Sequence, residues 1–150
     1  MRLQLKDFRC YENASFDFGS NSLEGDGLNL SFGLQSSWVS TSFENGYQTG
    51  LSIRYSTISG SNYKVNIFWN GVSVATSSSA IALNESHSTD VTVTDAGLVT
   101  VLVDGSSYAT YTISNWASQN MDGWMLGYGG RTGGNTGTAW IDDFSATLNS

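Results

Sequence analysis

Tyr63-Lys64-Val65-Asn66-Ile67-Phe68-Trp69-Asn70-Gly71-Val72-Ser73-Val74 is the stretch that decides the fold. Val65, Ile67 and Trp69 alternate with Lys64, Asn66 and Phe68, the period of two that puts alternate side chains of a strand on one buried face. Asn70-Gly71 then supplies two residues that tolerate positive φ, as a type I′ hairpin turn between antiparallel strands requires. The same pattern extends outward. Leu28, Leu30, Phe32 and Leu34 alternate with Asn29, Ser31 and Gly33, and Leu51, Ile53 and Tyr55 with Ser52, Arg54 and Ser56. Downstream, Val91-Thr92-Val93 runs through Asp95-Ala96-Gly97 into Val99, Val101 and Val103, and Asp104-Gly105 turns the chain into Tyr108–Ile113. Trp124–Tyr128 and Trp140–Leu148 follow. With Leu3–Phe8, Ser15–Phe18 and Trp38–Phe43 added, the pattern predicts roughly ten or eleven short strands. Strands of that number, with hairpin turns and one polar face each, predict an all-β fold: an antiparallel two-sheet sandwich.

The chain has 150 residues, 13% of them charged and 39% hydrophobic, which is the balance of one folded domain. No internal repeat or linker divides it, and residues 1–21 are set apart only as an expected N-terminal arm or edge hairpin. Six Lys and Arg oppose 13 Asp and Glu, giving a net charge of −7. Arg2, Lys6 and Arg9 lie at the start beside Asp7, leaving Arg54, Lys64 and Arg131 against all the other acids. Such a body repels phosphate backbones and anionic lipid, so nucleic acid is not an expected partner. No apolar run approaches the ~18 residues of a spanning helix, so no membrane insertion is expected. Cys10 is the only cysteine, which excludes an internal disulfide. The opening residues do not read as a signal peptide.

The most specific segment is Gly127-Tyr128-Gly129-Gly130-Arg131-Thr132-Gly133-Gly134-Asn135, leading into Trp140-Ile141-Asp142-Asp143-Phe144. It resembles the closing strands of concanavalin A-like, legume-type (L-type) lectin domains. Gly27–Gly33, Gly50–Ile53, Tyr63–Gly71 and Val91–Gly105 resemble earlier strands of that family in the same order, so the resemblance covers residues 26–149. Tyr128-Gly129-Gly130 departs from the usual run into Ala-Arg. The resemblance implies a concanavalin A-like jelly roll, a glycan or glycoprotein partner, and calcium beside the sugar site. The expected location is extracellular or surface/virion-associated. Residues 1–19 resemble the opening strands of RecF/SMC-type ATPase heads, but no Gly-Lys-Ser/Thr phosphate loop follows anywhere, which excludes that chemistry.

Site residues are then expected in the loops. Sugar rings offer an apolar C–H face to an aromatic side chain and hydroxyls to Asn, Asp and Arg. Trp116 in Ser114-Asn115-Trp116-Ala117, Tyr128, Arg131 and Asn135 are the expected carbohydrate contacts, whereas Trp69, Phe32, Phe18 and Tyr55 have core parity. Asp142 shares the parity of Trp140, Phe144, Ala146 and Leu148, so it is expected to point inward, as a calcium ligand or hydrogen-bonded to Arg131. A retaining glycosidase needs two carboxylates about 5–5.5 Å apart. Glu24-Gly25-Asp26 in a turn and Asp142-Asp143 on opposite strand faces do not meet that spacing, so no enzyme activity is expected. His87, in Ser77–Ser88, reads as a solvated loop residue. Asn13, Asn29 and Asn84 begin Asn-x-Ser sequons. The expected function is a non-enzymatic carbohydrate-binding module. The alternative is a structural β-sandwich subunit of a virion, filament or surface appendage, which would form a homo-oligomer or larger assembly.

Overall fold

A computed structural model describes residues 12–20, 27–39, 42–57, 63–82, 85–131 and 139–148. Ten strands are present among them: β1 (Glu12–Ser20), β2 (Gly27–Leu34), β3 (Gly50–Thr57), β4 (Tyr63–Trp69), β5 (Val72–Thr76), β6 (Ser86–Val93), β7 (Leu98–Val103), β8 (Ser106–Thr112), β9 (Trp124–Arg131) and β10 (Ala139–Leu148). They form two five-stranded antiparallel sheets, sheet A in the order β10-β1-β6-β7-β8 and sheet B in the order β5-β4-β3-β2-β9. Asn70 (φ 48) and Gly71 (φ 76) make the β4–β5 turn, and Asp104 (φ 50) and Gly105 (φ 73) the β7–β8 turn, as the sequence predicts.

The core is the set of alternating residues read from the sequence. Leu28, Leu30, Leu51, Ile53, Val65 and Ile67 of sheet B face Ala14, Val91, Val99, Val101 and Val103 of sheet A, all buried. Tyr55 spans the two layers. Its hydroxyl lies 2.7 Å from Thr89 Oγ1, and Thr89 in turn donates to the Leu102 carbonyl at 2.8 Å. A carbonyl can only accept, so the single Thr89 hydrogen is committed and Tyr55 donates to Thr89. Complete burial pushes the Tyr55 phenol far above its ordinary range.

Two expectations change. The described residues of Trp38–Phe43 form no strand: Trp38 makes one isolated bridge to Tyr47, and Phe43–Asn45 is a 3-10 turn. Within residues 1–21, Glu12–Ser20 is an inner strand, with β1 pairing β10 on one side and β6 on the other. His87 is not a solvated loop residue. It lies in β6, 7% exposed, with Nδ1 2.7 Å from Asp104 Oδ2 and Nε2 2.9 Å from the Ala82 carbonyl oxygen. The ring thereby ties the segment before β6 to the β7–β8 turn. Leu3–Phe8 and the side chain of Phe18 lie outside the described residues.

Asp104 also accepts from the Ser88 backbone N–H at 2.9 Å. The His87 hydrogen bond holds its carboxyl below the usual 3.8, with burial opposing it and the Ser88 hydrogen bonds adding to it. A carboxyl depressed on folding contributes stability above its unfolded pKa and loses it as pH falls through the folded value. Urea-unfolding midpoints of wild type and Asp104→Asn, compared downward from pH 5, should therefore converge below pH 3.8. Asn is chosen because it tolerates the positive φ at this turn.

Candidate functional site

The outward face of sheet B is where polar chemistry collects. Strand alternation that buries Leu28, Leu30, Ile53, Val65 and Ile67 sends Asn29, Ser31, Ser52, Arg54 and Asn66 to the opposite side, yet these five are also buried. The segment between β2 and β3 folds back over the sheet as a strap, with Gly46 against Asn29, Ser31 and Ser52 and Asn45 at Arg54. Leu34 N–H donates to the Thr49 carbonyl at 3.1 Å, Gln48 N–H to the Ser37 carbonyl at 3.1 Å, and Trp38 bridges Tyr47.

Buried polar groups must find partners within the chain, and most do here. Ser31 Oγ lies 2.8 Å from Asn29 Oδ1 and 2.9 Å from Ser52 Oγ. Asn29 Nδ2 donates to the Gly129 carbonyl at 3.3 Å. Asn66 Oδ1 accepts from Thr76 at 2.9 Å, while Asn66 Nδ2 donates to Ser56 Oγ at 3.3 Å and the Lys64 carbonyl at 3.2 Å.

Arg54 sits where the strap ends. Its guanidinium lies 3.6 Å over the Phe68 ring, and Nη1 donates to Asn45 Oδ1 at 2.9 Å. Burial holds the guanidinium below its ordinary pKa, with the nearby Glu44 charge acting in the opposite direction. Arg54 Nε and Glu44 Oε2 are buried without a hydrogen-bond partner among the described residues. Both atoms are shut off from solvent, so a ligand would meet this cluster through the exposed part of Phe68 and its neighbours. Beyond the strap, Lys64, Phe68, Ser73 and Thr76 are partly or fully exposed on β4 and β5.

Two glycines let the strap lie this close. Gly46 has φ +60, and a Cβ there would stand 2.0 Å from Ser31 Oγ and 2.6 Å from Asn29 Oδ1. A Cβ on Gly127 would stand 2.9 Å from the Tyr47 hydroxyl and 3.2 Å from the Trp38 ring.

The expected site residues do not converge. Trp116 is corrected to a core residue. It is 3% exposed and packs with Phe32, Trp69 and Trp124 at ring separations of 5.2–6.4 Å across the cluster. It sits near the Trp124 end of β9, whereas Arg131 is at the other end, roughly 24 Å along the strand at ~3.4 Å per residue. Tyr128 is 59% exposed, but it shares the core-side parity of Leu126 and meets Phe144 at 5.8 Å where the edges of the two sheets adjoin. Arg131 is exposed on the outward side of β9, paired in register with Gly27. Asn135 lies outside the described residues.

Asp142 is exposed, and the expectation that it points inward fails. A register shift falls where Ser15 pairs with Ser145 but Asp17 pairs with Asp142, leaving Asp143 and Phe144 opposite Phe16. Asp143 has φ 49 at this bulge, which resets the alternation so that Ile141 is the residue packed against the core. Asp142 Oδ1 instead accepts from the Asp143 backbone N–H at 2.9 Å. No group of three His, Cys, Asp or Glu able to hold a metal occurs among the described residues. Asn29, at 0% exposure in the middle of β2, cannot carry a glycan, which disposes of that sequon.

The strand order, the two-layer packing and the polar outward sheet are those of a concanavalin A-like lectin fold. Among solved structures, the chain is similar to the carbohydrate recognition domain of Emp47p (16% identity over 99% of this chain and 75% of that one, TM-score 0.72). It is also similar to lectin II from Ulex europaeus (18% identity, 93% and 74% coverage, TM-score 0.70). An alginate lyase from Pseudomonas aeruginosa shares the fold less closely (15% identity, 94% and 66% coverage, TM-score 0.57). No protein-family model matches the chain, and no curated protein matches it by sequence.

Two substitutions test this assignment of roles. Gly46→Ala should destabilise the fold by about 1–3 kcal/mol, because the strap must lift off Ser31 and Asn29. Trp116→Ala should cost about 3–5 kcal/mol as a core truncation. Urea unfolding measures both.

Proposed function

We propose that the protein is a carbohydrate-binding module whose ligand lies on the outward face of sheet B, beside the strap. The observation that carries this reading is Phe68, partly exposed at the boundary between covered and open sheet, with the Arg54 guanidinium over its ring and Lys64, Ser73 and Thr76 open around it. An aromatic face takes the apolar side of a pyranose, while the polar atoms around it take hydroxyls. The lectin and carbohydrate recognition domains that share the fold support binding in place of turnover. The acids on β10 support the same choice, since Asp142 and Asp143 are exposed on a bulge outside this face.

A glycan array on the purified chain, with calcium and with EDTA, followed by titration calorimetry on the best ligand, tests the proposal. Phe68→Leu keeps the apolar volume but removes the ring, and it should weaken binding about tenfold, equivalent to ~1.4 kcal/mol. Tyr128→Ala should leave affinity unchanged. Loss in Tyr128→Ala alone would move the site to the β9–β10 edge. Loss in EDTA would restore Asp142 and calcium. Silence toward every glycan would overturn the carbohydrate reading and favour a structural subunit.

A further inference from the structure

Charge is divided between the two sheets. The strands of sheet A carry Glu12, Asp17, Asp90, Asp142 and Asp143 and neither Lys nor Arg. The strands of sheet B carry Arg54, Lys64 and Arg131 and neither Asp nor Glu. These three are the only Lys or Arg in the chain beyond Arg9. Each also falls on the same side of its strand. Arg54 and Lys64 alternate with the buried Tyr55, Val65 and Ile67, and Arg131 alternates with the core-side Tyr128 and Gly130.

The register then brings them to one end of that face. Arg131 pairs with Gly27, Gly27 lies against Ser56, and Ser56 pairs with Lys64, so Arg131 and Lys64 bracket a row filled by only a glycine and a serine. Adjacent strands are ~4.8 Å apart, which separates the two bracketing backbones by about 14 Å. Arg54 stands in the next row, between Asn29 and Asn66, nine-tenths buried and with Nε unpartnered among the described residues. Glu44 is the acid that acts on Arg54 from the strap. In a chain of net charge −7, the strands of this face carry three cations and no acid, which favours an anionic group here over the strands of sheet A.

We propose that the outward face of sheet B selects saccharides bearing negative charge, as carboxylate or sulfate groups, with Lys64 and Arg131 at the rim and Arg54 beneath. This rests on the carbohydrate-binding reading above and narrows its ligand class. An extended nucleic acid is disfavoured, because the acidic remainder of the surface would repel phosphates beyond this short row. A saccharide with spaced charges fits within it.

The test compares matched pairs by calorimetry at about 20 and 300 mM NaCl, where the Debye length falls from roughly 20 Å to 6 Å. Polygalacturonate oligomers are set against neutral galactan oligomers, and sulfated against unsulfated dextran oligomers, with a single-stranded oligothymidylate alongside. The expected result is at least tenfold preference for a charged member, weakened by salt and reduced about threefold to tenfold by each of Lys64→Gln and Arg131→Gln. Which pair shows the preference distinguishes carboxylate from sulfate. Equal, salt-insensitive binding to neutral oligomers would overturn this inference and leave the carbohydrate reading standing. Binding to none of the saccharides would overturn both. A preference that survives the double variant, or equal affinity for oligothymidylate, would also overturn the inference.

Discussion

Sheet B is covered on its inner face and over the middle of its outer face, and that constraint shapes the rest of the molecule. Its inner side packs against sheet A, and the middle of its outer side lies under the strap between β2 and β3. An exposed sheet face can leave its polar side chains to water. A covered one cannot, so Asn29, Ser31, Ser52 and Asn66 must satisfy one another or the backbone. The bond between Tyr55 and Thr89 plays the corresponding part inside, fixing one layer against the other at a single donor and acceptor.

This constraint also locates the chemistry. Where the strap covers the sheet, the polar atoms are consumed by internal bonds and the strap approaches as closely as Gly46 and Gly127 allow. Where it ends, Phe68 and Lys64 open toward solvent, with the buried Arg54 beneath them. The boundary between covered and uncovered sheet thus separates groups committed to stability from groups able to meet a ligand. The segregation of cations onto the same sheet gives that boundary an electrostatic sign.

The aromatic residues divide along the same line. Trp116 follows β8 in a short 3-10 turn, a position that from the sequence resembles a loop. The turn drops its indole between the layers, where Phe32, Trp69 and Trp124 already supply ring faces, so it closes one end of the core. Tyr128 and Phe144 do the converse, keeping core-side parity while remaining substantially exposed, because β9 and β10 are the edge strands of the two sheets among the described residues.

Alternation and turn chemistry in the sequence by themselves determined the all-β class, the hairpins at Asn70-Gly71 and Asp104-Gly105, and the buried Leu, Ile and Val of β2 to β7, because a period of two leaves a strand little choice of face. The resemblance to lectin domains in the order of its motifs likewise reached the fold. Parity failed where alternation was interrupted: one extra residue in β10 turned Asp142 outward, and no local signal marks that bulge. Nor did the sequence tell which polar face would be covered, since Asn29 and Arg54 look solvated until a segment distant from the strand folds over them. Those decisions belong to strand order and to the path of the strap. They are long-range contacts, and only the tertiary structure brings Arg54, Lys64 and Arg131 onto one face.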